Sequence, residues 1–134
     1  MKKNGCIHPM IMEALASVGH GDQILIADGN YPLESKCPDC RRVYLGLRAG
    51  EPTVTAVLET ILCEINVEAA AVMKPDGIRP EIYDEFQQSL SGITLEEFSR
   101  WDFYDAAAKP TVRLAISTGE KRTFANLLIT VGCA

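Results

Sequence analysis

With 134 residues, 47% of them hydrophobic and 23% charged, the chain has the make-up of one ordinary globular domain, able to close a core without disulfides or metal. Its net charge of −5, from 18 acidic against 13 basic residues, excludes a partner held by a Lys/Arg surface, so no nucleic acid is expected. No stretch nears the roughly 20 apolar residues of a membrane span, so no membrane partner is expected either.

At the start, Met1-Lys2-Lys3 is basic, but His8, Pro9 and Glu13 interrupt any apolar run behind it. That is not a signal peptide, so a cytoplasmic protein with five reduced cysteines is expected. Met10 to Val18 predicts a first helix, with Pro9 in its first turn and Ile11, Ala14, Leu15 and Val18 on one face. Gly19 is the residue expected to close it in the left-handed conformation. Gln23 to Asp28 then predicts a strand covered on both faces, because its apolar residues are consecutive.

Asn30 to Cys40 predicts a loop, and Arg41 to Leu47 a short strand weakened by Gly46. Pro52 and Thr53 open a second helix to about Asn66, striped by Val54, Val57, Leu58, Ile61, Leu62 and Ile65. Val67 to Met73 is a buried strand. Pro80 starts a third helix with Ile82, Phe86 and Leu90 inward and Gly92 at its end. Ile93 to Glu97 fits helix or strand equally. A short helix follows from about Trp101 to Lys109, stopped by Pro110. Thr111 to Ile116 and Phe124 to Val131 are the last two strands. This alternation predicts one α/β domain over residues 1–134, three layers deep, with a largely parallel or mixed sheet.

Two places suit chemistry. His20, between Gly19 and Gly21, stands where the backbone turns and a ligand can come close, and an imidazole transfers protons near neutral pH. Asp28 ends the buried strand ahead of Gly29, at the edge where open α/β sheets bind ligands. Each has a plainer reading: a tight turn carrying a solvated histidine, and a carboxylate that caps the following loop. A strand of five or six residues spans about 17–20 Å, so the two lie near opposite ends of it. Either the chain folds back, or a neighbouring subunit completes the site; the second is favoured.

Cys37-Pro38-Asp39-Cys40 has the spacing of a redox dithiol or half a zinc site. No second pair accompanies it, and no helical stripe follows from Arg41, so no metal is expected. Cys63, on the apolar second helix, reads as core. Arg41-Arg42 and Lys121-Arg122 read as solvated surface pairs.

Taken in order, Gly19-His20-Gly21-Asp22, Ala27-Asp28-Gly29-Asn30-Tyr31-Pro32, Phe103-Tyr104, Thr118-Gly119-Glu120, Phe124-Ala125-Asn126 and Val131-Gly132 resemble the family of ribose pyranases and fucose mutarotases, nearly end to end. The resemblance implies an isomerase of free monosaccharides that uses no cofactor. It also implies a ring-forming homo-oligomer, a decamer of two stacked pentamers, with sugar pockets between subunits. By the same resemblance His20 is the catalytic proton donor, and Asp28, Arg100, Phe124 and Asn126 bind the sugar. Arg100 and the Phe103-Tyr104 pair lean toward the fucose branch. The family's tyrosine is Phe124 here, which keeps an apolar wall but has no hydroxyl. A non-catalytic sugar-binding protein of the same fold is therefore the alternative, and a thiol or zinc protein a third reading.

Overall fold

The computed structural model describes all residues, 1–134. Its elements in chain order are α1 (Pro9–Ser17), β1 (Gln23–Ala27), α2 (Leu33–Lys36), β2 (Arg41–Tyr44), α3 (Val54–Leu62), β3 (Val67–Met73), α4 (Ile82–Ser89), β4 (Leu95–Phe98), α5 (Arg100–Ala107), β5 (Val112–Ser117) and β6 (Leu127–Val131). Six strands form one mixed sheet in the order β2-β5-β1-β6-β3-β4. β1 runs parallel to β5 and antiparallel to β6, and β6 is antiparallel to β3.

Alternation along β1 divides the core. Ile24 and Ile26 face α1, α3 and α4, where Leu15, Leu58, Ile61 and Phe86 meet them. Leu25 and Ala27 face α2 and α5, where they meet Leu33, Phe103 and Ala107. All four of these residues are fully buried, which is why β1 carries no polar side chain after Gln23. The expected three layers and mixed sheet are thus present.

Several boundaries differ from the sequence reading. α1 ends at Val18 in extended backbone, and the left-handed residue is Gly21 (φ +86), not Gly19. The turn is therefore made after His20. Gly92 (φ +83) does sit past the end of α4 as expected. α3 stops at Leu62, since the chain needs Cys63 to Asn66 to turn into β3. The 30–40 segment holds the one-turn helix α2, and the stretch that fitted helix or strand resolves to the strand β4 from Leu95. The last strand starts at Leu127, because Phe124 adopts φ +59 and breaks the extended run. Cys63 is exposed rather than core, as α3 has ended at that point.

Because β6 is antiparallel, its amino end lies beside the carboxyl end of β1, with Ile26 opposite Leu127. The same register sets Val72, near the end of β3, opposite Leu127. One edge of the sheet therefore gathers the segments after β1, β3 and β5 and the segment before β6. The other edge ties the turn before β1 to the chain's end, through Gly21 N–H to the Val131 carbonyl at 2.9 Å.

Candidate functional site

Asp28 is the centre of the first edge. It is 2% exposed, and its carboxylate accepts hydrogen bonds from the Asn30 amide at 2.9 Å, the Ala125 amide at 3.3 Å and Asn126 Nδ2 at 3.0 Å. Burial pushes its carboxyl above the usual aspartate value of 3.8, partly offset by those three bonds. Asn126 is itself 3% exposed. Its other amide atom, Oδ1, accepts the Asp28 N–H at 2.9 Å.

A cavity of about 200 Å³ opens over this pair, lined also by Tyr31, Arg100, Tyr104 and Phe124. Phe124 is a non-glycine residue in the left-handed region, a conformation that costs about 1–2 kcal/mol, and it presents its ring to the cavity. Arg100, the first residue of α5, holds its guanidinium 5.3 Å above that ring, within cation–π range. Tyr31 and Tyr104 meet edge to face at 5.4 Å on the facing side. The Tyr31 hydroxyl is buried and has no hydrogen-bond partner. The four residues predicted to bind, Asp28, Arg100, Phe124 and Asn126, thus share one cavity.

His20 does not join them. It lies at the opposite end of β1, with Nε2 2.8 Å from Glu68 Oε2 and its side chain 59% exposed. Around it is a separate, open cavity of about 540 Å³, formed with the end of α3 and the C-terminal residues 131–134. Within one chain, the fold does not turn back to bring His20 to Asp28.

Three features were not legible as site residues. The first is the Tyr31 hydroxyl, since nothing in a sequence says that a phenol will lack a partner. The second is Glu120, 4% exposed, whose carboxylate accepts from the Arg122 amide at 3.1 Å and from its Nε and Nη2 at 3.0 and 2.9 Å. Arg122 also pairs with Glu85 of α4. This corrects the reading of Lys121-Arg122 as a solvated pair: Arg122 fastens the 118–124 connection that carries Phe124. Arg42 is likewise engaged, donating to the Cys37 and Pro38 carbonyls. The third is Glu68, which only the β3–β6 pairing places beside His20.

No group of three or more His, Cys, Asp and Glu side chains is arranged to hold a metal ion. No helix is long and apolar enough to cross a membrane.

Comparison with known proteins gives a consistent picture. Residues 1–134 match the family described as RbsD / FucU transport protein family. A D-ribose pyranase of Symbiobacterium thermophilum is 33% identical over 134 residues, covering 98% of each chain. The structure of Bacillus subtilis RbsD complexed with D-ribose superimposes with a TM-score of 0.87 at 26% identity, covering 100% of this chain and 99% of that one. A fucose mutarotase from Streptococcus pneumoniae, solved with L-fucose, gives 0.78 at 25% identity, covering 96% and 94%.

Proposed function

Because the chain belongs to the RbsD / FucU transport protein family, we propose that it is an isomerase interconverting the cyclic forms of a free aldose, D-ribose or L-fucose being the substrates to test first. The observation that carries this reading is the buried Asp28–Asn126 pair under an aromatic-walled cavity. Three of the roughly four lone-pair positions of the Asp28 carboxylate are used within the chain, which leaves one for a sugar hydroxyl. Phe124 and Tyr104 offer apolar faces to the C–H side of a sugar ring, and Arg100 adds donors at the rim.

The reaction requires little. Ring opening takes a proton from the anomeric hydroxyl, delivers one to the ring oxygen and breaks one C–O bond; closure on the other face reverses these steps. A positioned acid or base contributes about 10²–10⁴-fold to such transfers. His20 is the proton donor in this reading. With no hydroxyl on Phe124, Asp28 or a bound water is the second group, and burial that raises the Asp28 carboxyl helps it hold a proton.

The site is shared between copies of the chain in a ring, a decamer of stacked pentamers. His20 of one copy closes over the Asp28 cavity of the next. Two facts support the sharing. At about 200 Å³ the Asp28 cavity falls below the roughly 300–1,000 Å³ of ordinary ligand pockets. And His20, the remaining proton carrier, stands exposed at the far end of the strand. The protein acts in the cytoplasm, where its five unpaired cysteines stay reduced.

Saturation-transfer NMR of anomeric protons, for D-ribose and L-fucose with wild-type and His20→Ala protein, tests the proposal. Accelerated exchange that disappears in the variant supports it and names the sugar. Phe124 favours a second reading, a sugar-binding protein without catalysis. Binding without acceleration, weakened but otherwise unchanged by His20→Ala, would select that reading.

A further inference from the structure

The turn between α2 and β2 carries two cysteines whose surroundings are unequal. Cys37 caps α2, its N–H bonded to the Leu33 carbonyl at 3.0 Å, and is 1% exposed among Leu33, Tyr31 and Ala115. Cys40 sits three residues on, at the rim of the same cluster and partly open to solvent, its Sγ 3.5 Å from the Cys37 carbonyl oxygen. Arg42 ties the turn shut, with Nη1 donating to the Cys37 carbonyl at 2.9 Å and the Pro38 carbonyl at 3.0 Å. Pairing of β2 with β5 anchors the far side. Both sulfurs are thus held on one short turn, and no third ligand is arranged beside them for a metal.

We propose that Cys37 and Cys40 form a thiol–disulfide exchange site for a small-molecule disulfide of the glutathione class, with Cys40 as the attacking sulfur and Cys37 as the resolving one. The assignment of roles follows from access and charge. Only Cys40 is reachable from solvent. A hydrogen bond from the Cys37 thiol holds Cys40 below the usual thiol range, against the effect of burial, and the Arg42 and Arg113 guanidiniums add to it. The same hydrogen bond and burial push Cys37 up, so it stays a thiol until its turn comes.

The Cys40 thiolate attacks one sulfur of the disulfide R–S–S–R, forming Cys40–S–S–R and releasing R–S⁻, which takes up a proton. Cys37 then loses its proton to solvent and attacks the Cys40 sulfur. That step makes the Cys37–Cys40 disulfide and expels the second R–S⁻, which is protonated in turn. The protein dithiol loses two electrons and two protons; the small disulfide gains both and leaves as two thiols. In a reducing compartment such a pair cycles rather than persists.

The protein supplies its own controls, since Cys63 and Cys133 are exposed lone thiols. Oxidised glutathione at pH 6.5, followed by acid trapping and peptide mass spectrometry, gives the order of reaction. Cys40 is expected to react roughly tenfold faster than Cys63 or Cys133 and to pass on to the Cys37–Cys40 disulfide. Cys37→Ser is expected to stall as the mixed disulfide on Cys40, and Cys40→Ser to leave Cys37 unmodified. Modification of Cys63 or Cys133 before Cys40 overturns the proposal, as does Cys37 reacting at the wild-type rate in Cys40→Ser. Arg42→Gln keeps both cysteines and is expected to slow the first step about threefold or more; an unchanged rate would also sink it.

Discussion

Asp28 and Asn126, 98 positions apart, grip each other twice: the Asp28 amide donates to Asn126 Oδ1 at 2.9 Å, and Asn126 Nδ2 donates to the Asp28 carboxylate at 3.0 Å. The pair fixes the amide's orientation and joins the ends of β1 and β6 under the cavity. Asn126→Ala removes both bonds and leaves a buried N–H and a buried carboxylate oxygen short of a partner. The expected loss is about 2–4 kcal/mol by urea denaturation, together with loss of sugar binding. Asn126→Asp is the sharper variant. Two adjacent buried carboxyls cannot both ionise, so their folded-state values are raised. Their stability is present at low pH and lost as pH rises toward neutrality, and Tm against pH is the measurement.

Glu120 gives the opposite pH signature. Burial works to raise its carboxyl, but hydrogen bonds from the Arg122 side chain and amide, and the Arg122 charge, hold it below its ordinary value of 4.5. A depressed carboxyl contributes stability above its ordinary value and loses it as pH falls through the folded one. Glu120→Gln is therefore expected to cost about 1–2 kcal/mol at pH 7, discounted because Arg122 is 43% exposed. The gap between wild type and variant is expected to hold down to about pH 5 and close as the pH drops further. A gap that is constant from pH 7 to pH 3 would contradict the assignment.

Much of this molecule was legible from residue pattern. Consecutive apolar residues in β1 announced a strand covered on both faces, and the stripe from Val54 to Ile61 announced α3. Asp28 was legible as a strand-end carboxylate. What pattern could not carry was pairing. Asn126 meets Asp28 only because β6 is inserted antiparallel between β1 and β3, and no local signal states that. Phe124 read as the first strand residue because phenylalanine favours strands; its left-handed backbone is imposed by the connection that Glu120 and Arg122 hold. The ends of α1 and α3 were placed a residue or more too far along, since turn geometry, not helix propensity, stopped them. His20 was correctly read as distant from Asp28, because strand length alone fixes that separation.

Tyr31→Phe separates ligand binding from stability. Its hydroxyl is buried in the wall of the Asp28 cavity without a partner, so its removal takes no hydrogen bond from the chain. Stability is expected to stay level or rise by up to about 1 kcal/mol. Sugar affinity, by NMR titration, is expected to fall several-fold, because the phenol is the unpartnered polar group of that wall. A large drop in Tm would show instead that the hydroxyl is held by a buried water.

Phe124→Tyr restores a hydroxyl at the cavity beside Arg100. The added oxygen lies where the ring already reaches the cavity, so the fold should tolerate it with less than about 1 kcal/mol of change. The exchange rate of anomeric protons is expected to rise above wild type, with sugar affinity little altered. No gain in rate would mean that another group already supplies the second proton transfer.

His20 and Asp28 stand at opposite ends of β1, so a shared site makes a prediction about mixtures that a single-chain site does not. His20→Ala and Asp28→Asn proteins are each expected to lack exchange activity. Under the shared-site proposal, the two chains co-expressed with separable tags are expected to form mixed rings. Wherever an Asp28→Asn subunit lends its intact His20 to the intact cavity of a His20→Ala neighbour, one complete site returns. Random mixing in equal amounts restores about a quarter of the wild-type sites in a head-to-tail ring. A site built within one chain would give no recovery at any ratio, since every subunit then carries a defect of its own. Activity of the purified doubly tagged assembly, plotted against mixing ratio and peaking at equal amounts, is the decisive readout.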